Sequence, residues 1–477
     1  MFVNGNRLLE CSITGEVEAS SRSRCESIKN VPRGSGPIAW ALCVRGLWGQ
    51  QGFRVAVAER KPAEMFTLME GERSAQDVLE QMILERSLSD DREAFMVADL
   101  GEVVKKHWHF QEVLPRVKPF YSVKSNDSKE VIQTLAKLGT DFDCTSKGEI
   151  ELVLGLGVSP DRIIYANPCK QLSHIKYAAS SGVKMMTFDS EEELTKVAQC
   201  HPTARMLLRI KTDDSKSCGH LSSKFGAPLE ACRHILEEAR QLGITVVGVS
   251  FHVGSRSKNL ASFTQAIADA HTVFQTGIEL GHHMQVLDIG GGFPGIEDAQ
   301  PSFEEMGAVV TSELCKHFPE GCGVEIIAEP GRFYVTSAFT AALNVIAKKT
   351  IVENSGSKHP IRKKIMYYLN DGIFGSFNFL LFEENHLKPL IIHKACLAQS
   401  LYPSTLWGQT LDGNDKIMDD VALPELQVGD WLVFRNIGAY SVTTTTLFNA
   451  FTAMPIYFLL HKDTWTALGV PLTPNKH

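Results

Sequence analysis

Residues 119–128 read PFYSVKSNDS. Pro119, Phe120, Tyr121 and Val123 form a short apolar, aromatic and β-branched run, the pattern of a buried strand. The run stops on Lys124, and Asn126, Asp127 and Ser128 follow as helix-start residues ahead of VIQTLAKLG. A lysine at the carboxyl end of a buried strand is costly to leave charged and unpaired. Schiff-base formation with a carbonyl compound lowers that cost. A lysine solvated at the strand rim is the competing reading, and the rest of the chain decides between them.

Working outward, the same strand–break–helix unit recurs. β-type runs at residues 118–123, 140–143, 162–165, 183–188, 205–210, 245–252, 284–289 and 324–328 alternate with helical patterns. Examples of the latter are KEVIQTLAKLG, GEIELVLGLG, LEACRHILEEARQLG and SFTQAIADAHTVFQTGIELG. Eight such units over roughly 210 residues match an α/β fold of the (β/α)8 TIM-like barrel type. An open doubly wound sheet is the rival. Polar residues gathered just past the carboxyl ends of most runs favour the barrel.

Before the barrel, AQDVLEQMILERSL has helical spacing, and AFMVADL reads as a strand that either neighbouring domain can take. The barrel is expected over 72–335. Beyond it, KIMYYLNDG, KPLIIHK, DWLVFRNIGAY and MPIYFLL are strand-like and separated by turn signals, so 336–477 is expected to be a C-terminal, mainly β domain. Residues 1–71 read as a poorly ordered extension. The first 64 carry nine Lys/Arg against six Asp/Glu, a balance of +3, which leaves −10 on the remainder of a chain of net charge −7.

The 477 residues exceed one ordinary domain, and 44% hydrophobic content suffices for a large core. The negative charge argues against general nucleic-acid binding. Eleven cysteines occur without a CxxC pair or a zinc-type cluster, as expected of free thiols in a reducing compartment. No apolar run approaches about 18 residues, so no membrane span is expected. With no signal-type amino terminus, the expected location is the cytoplasm.

Taken as a set, the strand ends carry Lys124, Asp143, Arg209, His252 with Ser255, then Gly290, Gly291 and Gly292, and finally Glu329 with Arg332. A triple glycine lets backbone amides approach an anion closely. Its place after the seventh strand, with Gly331-Arg332 after the eighth, is where such barrels commonly bind phosphate. A lysine for an aldehyde, a phosphate cradle and a strand-end carboxylate together describe a pyridoxal phosphate site. Glu329 is the candidate acid at the pyridine nitrogen, and His252 the candidate face for the ring to stack on.

The runs PFYSVKSNDS, FDCTSKGE, IIYANPCKQ, FHVGS, LDIGGGFPG, AEPGRFYV, WGQTLDGND and NIGAYSV resemble eukaryotic ornithine decarboxylase and its relatives, the group IV pyridoxal-phosphate decarboxylases. The resemblance spans residues 72 to 460. It implies a barrel plus β domain in a head-to-tail homodimer with two shared active sites. It implies that Lys124 holds the cofactor, Glu329 pairs with the pyridine nitrogen and His252 stacks on the ring. Asp143 and Arg209 would help hold the pocket. Ser255, Gly290, Gly291, Gly292, Arg332 and Tyr440 would hold the phosphate. Asp412 would reach from one subunit towards the far end of the substrate in the other.

The departures from the family pattern lie on the substrate side. Leu411 stands where the decarboxylases have a proton-donating cysteine. Glu383 replaces the aspartate that binds the distal amine, and Phe374 and Phe382 replace two tyrosines. These four changes point to a decarboxylase of a small aliphatic amino acid such as leucine. Ornithine or lysine decarboxylation in polyamine synthesis is the first alternative. An inactive, antizyme-binding relative of the antizyme-inhibitor type is the second, and the intact cofactor residues weigh against it. Antizyme is the candidate protein partner, through Lys170, Lys176 and Lys196 on a basic face.

Overall fold

The computed structural model describes residues 66–468 except 70, 72, 90, 218, 354–361, 384–386 and 393–399. The expected extension therefore lies, up to residue 65, outside the described residues. Eight parallel strands close a barrel: β3 (Val117–Ser122), β4 (Asp141–Cys144), β5 (Ile163–Tyr165), β6 (Met185–Phe188), β7 (Arg205–Arg209), β8 (Thr245–Ser250), β9 (Val286–Asp288) and β10 (Glu325–Ala328). Closure is the pairing of β10 with β3, Ile326 opposite Val117. Phe120, Ile164, Met185, Leu207, Val286 and Ile327 are among the residues that fill the interior, so the barrel is a packed core and not a channel.

The helices between these strands start as their sequences dictate. Ser146, Ser190 and Ser302 each accept the backbone N–H three residues on at the head of a helix. Outside β10 the regular helix is only Arg332–Val335. The place it leaves is taken by the helix Leu100–Val113, which packs on Arg332–Val335 and on the helices Lys129–Lys137 and Phe303–His317.

A second sheet holds β1 (Thr67–Met69), β2 (Phe95–Asp99), β11 (Phe339–Glu353), β12 (Arg362–Leu369), β13 (Leu390–Ile391), β14 (Leu401–Trp407), β15 (Lys416–Pro424), β16 (Trp431–Arg435) and β17 (Ile456–His461). Two of these strands precede the barrel. β2, the AFMVADL run, pairs with β11 and β17, and β1 pairs with β17. Residues 95–99 thus take one of the two places open to them, in the β sheet, and residues 67–69, expected within the extension, pair into the same sheet. The physical reason is apolar matching. Phe95 and Val97 share a buried cluster with Trp431, Val433 and Leu459, and leaving them uncovered would forfeit their burial. Among the described residues no helix is long and apolar enough to cross a membrane.

Candidate active site

Lys124 sits in a single 3-10 turn, Val123–Ser125, directly after β3. The β domain holds that turn from above. Tyr440 N–H donates to Ser125 O at 2.8 Å, Thr443 Oγ1 to Lys124 O at 3.0 Å, and Asn126 Nδ2 to Gly438 O at 2.9 Å. Tyr440 adopts φ +58°, a left-handed conformation rare for a tyrosine, which the clamp maintains. Lys124 Nζ lies 2.5 Å from Asp143 Oδ2, which also accepts from Ser122 Oγ at 2.5 Å. Burial works against the ammonium, but Asp143 and then Glu329 outweigh it and hold Lys124 above the ordinary lysine pKa. Its side chain still keeps 34% of its surface exposed, open to a cavity of about 280 Å³.

Desolvation first, and then the charges of Arg209 and Lys124, hold the partly buried His252 imidazole well below the ordinary histidine range, so it is neutral. Its Nδ1 accepts the Gly254 N–H at 2.9 Å. Gly290 and Gly292 have φ +65° and +101°. A Cβ on Gly290, Gly291 or Gly292 would stand 2.2, 2.6 or 2.5 Å from the carbonyl oxygen of Phe251, Glu329 or Gly254. Only glycine passes there, and the backbone turn is left bare to the cavity. Arg332 lies beside it, its guanidinium 4.9 Å from the Tyr440 ring centre and its NH2 3.4 Å from Ser255 Oγ.

Asp288 carries no signal of its own in the sequence. It is buried at the end of β9, accepts the Gly290 N–H at 2.9 Å and hydrogen-bonds Glu329. It thus ties the glycine turn to the strand-end acid, and Glu329 N–H returns a bond to Gly290 O at 2.7 Å. Burial pushes Asp288 up to about 7, and burial with the charges of Asp143 and Asp288 pushes Glu329 well above the usual range. The pair therefore shares a proton near neutrality. The aspartate lies within LDIGGG, where the glycines draw attention away from it.

The Asp288 carboxyl is raised on folding, so the folded protein binds more protons than the unfolded chain between about pH 4 and 7. Its contribution to stability is full below the unfolded pKa and is lost as pH rises through about 7. Melting temperatures of cofactor-free wild type and Asp288→Asn, measured from pH 5 to 8, should converge as pH rises, because the wild type loses this term and the variant does not. Parallel curves would contradict the shared proton.

Within a single chain the five substrate-side candidates divide, Asp412 being the one expected to serve the partner's site and not its own. Phe374, Leu411 and Asp412 do not line the Lys124 cavity, whereas Phe382 does. Phe374 instead packs on Phe448 at 4.9 Å, Leu411 is 94% exposed, and Asp412 Oδ1 caps its own turn by accepting from Asn414 N–H. Asp415 fixes this block, accepting from Ile373 N–H at 2.8 Å and Thr410 N–H at 2.9 Å. The last of them is Glu383. It does line the cavity, but its carboxylate is paired with Arg332 and stands 3.7 Å from Arg256. Among the basic residues, Lys170 is no surface lysine. It is buried against Glu193 at 3.0 Å and donates to Asn167 O and Thr187 O.

The fold and site fit pyridoxal phosphate: a lysine open to the cavity, a bare glycine turn beside a buried arginine, and a buried acid pair. Arg332 Nε is buried without a partner, a donor in place for an anion. The family model described as "Pyridoxal-dependent decarboxylase, pyridoxal binding domain" matches residues 100–336. Antizyme inhibitor 2 of Xenopus laevis is 55% identical over 84% of this chain and 89% of that protein. Ornithine decarboxylase of Rattus norvegicus is 54% identical over 82% of this chain and 86% of that protein. The solved arginine decarboxylase of Paramecium bursaria Chlorella virus, bound to agmatine, superposes with a TM-score of 0.75 at 35% identity, over 81% of this chain and all of that one. The chain belongs to the pyridoxal-dependent decarboxylase family, in its ornithine decarboxylase branch, and its cofactor is pyridoxal phosphate.

Proposed function

We propose that this decarboxylase acts on a small aliphatic amino acid, leucine foremost, and releases CO2 and the corresponding primary amine from a homodimer with shared sites. One observation carries the reading. The two carboxylates lining the Lys124 cavity are already engaged, Glu329 by Asp288 and Glu383 by Arg332. Among the described residues a distal ammonium meets these engaged carboxylates, with only Glu383 Oε2 lacking a hydrogen bond and that oxygen facing Arg256 at 3.7 Å, and leaving the charge unpaired costs several kcal/mol. An aliphatic side chain gains about 0.8 kcal/mol for each methylene buried against Phe382, Leu221 and Phe293, which line the same cavity.

In this site Lys124 would be the attachment point, and the Gly290–Gly292 turn, Ser255, Arg332 and Tyr440 would hold the phosphate. Asp288 and Glu329, sharing a proton, would serve the pyridine nitrogen. Neutral His252 offers a face without adding charge against the ring. When bound, pyridoxal phosphate supplies the electron sink for the pair left at Cα as CO2 departs. The proton that Cα then requires cannot come from Leu411, which has none to give. Lys124 Nζ, kept protonated by Asp143, is the donor in place.

The test is product identity. Holoenzyme given an equimolar mixture of leucine, isoleucine, valine, methionine, ornithine, lysine and arginine should yield 3-methylbutylamine as the main amine by mass spectrometry. Putrescine as the main product would overturn the substrate assignment.

A further inference from the structure

Glu383 is more than a substituted substrate residue. It belongs to the segment after the turn Asn378–Leu381, yet its side chain is only 4% exposed and its carboxylate is bonded to the Arg332 NH2. The second oxygen, Oε2, is buried, makes no hydrogen bond and faces Arg256 NH1 at 3.7 Å. Arg332 is itself buried, packed over Tyr440 and near Ser255, with Nε buried and unpartnered. A guanidinium has five donors in a rigid fork, so one edge can be held by a carboxylate while another is presented to a second anion.

We propose that Glu383 is a positioning and specificity-determining residue. It orients Arg332 so that Nε faces the phosphate site, and in doing so it is withheld from the substrate. The inference rests on the pyridoxal phosphate reading of the cavity and deepens the substrate proposal. It also gives the length of the side chain a physical reason. A glutamate reaches Arg332, whereas an aspartate, one methylene shorter, falls short and turns its carboxylate loose in the cavity. One methylene thereby couples the grip on phosphate to the exclusion of cationic substrates.

Two variants separate these roles, read by binding and not by turnover. Cofactor-free wild type, Glu383→Gln and Glu383→Asp are titrated with pyridoxal phosphate, following the absorbance of the bound cofactor. Loss of a charge-assisted bond that orients the arginine should weaken cofactor affinity about tenfold or more in both variants. The cofactor-loaded proteins are then titrated with 3-methylbutylamine and with 1,4-diaminobutane. Wild type should bind the monoamine more tightly, and Glu383→Asp should gain about tenfold or more for the diamine as its freed carboxylate meets the second ammonium. Cofactor affinity unchanged or tightened in Glu383→Gln would overturn the positioning role. Diamine binding by wild type that collapses in Glu383→Gln would show that Glu383 serves the ammonium after all. Wild type acting on ornithine while cofactor affinity still depends on Glu383 would sink the substrate assignment and leave the arginine role standing. Wild type that binds no pyridoxal phosphate would overturn the cofactor reading and this inference together.

Discussion

Lys124→Ala should lose decarboxylase activity by at least about a thousandfold, because it removes both the attachment amine and the proton donor in place for Cα. Among the described residues no second lysine lines the cavity. Lys124 is the lysine lining the cavity, and Asp143, Ser122 and the Tyr440 clamp are built around its turn. Borohydride reduction of the wild type followed by peptide mapping should place the pyridoxyl label on Lys124 and leave the variant unlabelled. Label on another lysine, or activity retained in the variant, would refute that role.

The second large effect is gained by mixing two inactive proteins. Leu411 is almost wholly exposed and Asp412 lies outside the Lys124 cavity of its own chain, on a block held rigid by Asp415 and by the Leu411 N–H bond to Asn449 Oδ1. An exposed leucine tied to Asn449, next in sequence to Phe448, whose ring is tilted against Phe374, is a surface awaiting cover, and a second copy with its open cavity fits that need. If Asp412 completes the partner's site, Lys124→Ala and Asp412→Ala proteins are each inactive. Random reassortment makes half the dimers mixed, and each mixed dimer has one intact site of two. About a quarter of wild-type activity should therefore return. Subunit exchange without recovery would mean that each site is complete within one chain.

Much of this was legible along the chain. The eight strands fall within a few residues of the runs that suggested them, because each run is a short apolar stretch ended by the polar residues of the site. Lys124, His252, Glu329 and the glycine turn were readable for the same reason, each being a local break in a local pattern. Pairings across elements were not. Asp288 looks like one more strand residue until the close of the barrel sets it against Glu329. The bond from Arg332 to Glu383 spans 51 residues and two sheets, so nothing in LLFEENH announces it. Likewise Lys170 looks like surface charge until Glu193 is folded over it. The strand AFMVADL before the barrel was ambiguous, and β1 passed for part of the extension, because their partners lie at the opposite end of the chain.

The most direct measurement is CO2 release by the holoenzyme from leucine and from ornithine, each alone, expressed as kcat/KM. The engaged state of Glu383 and Glu329 predicts that leucine exceeds ornithine by about tenfold or more. Ornithine with the higher kcat/KM, or CO2 from neither, would contradict the account.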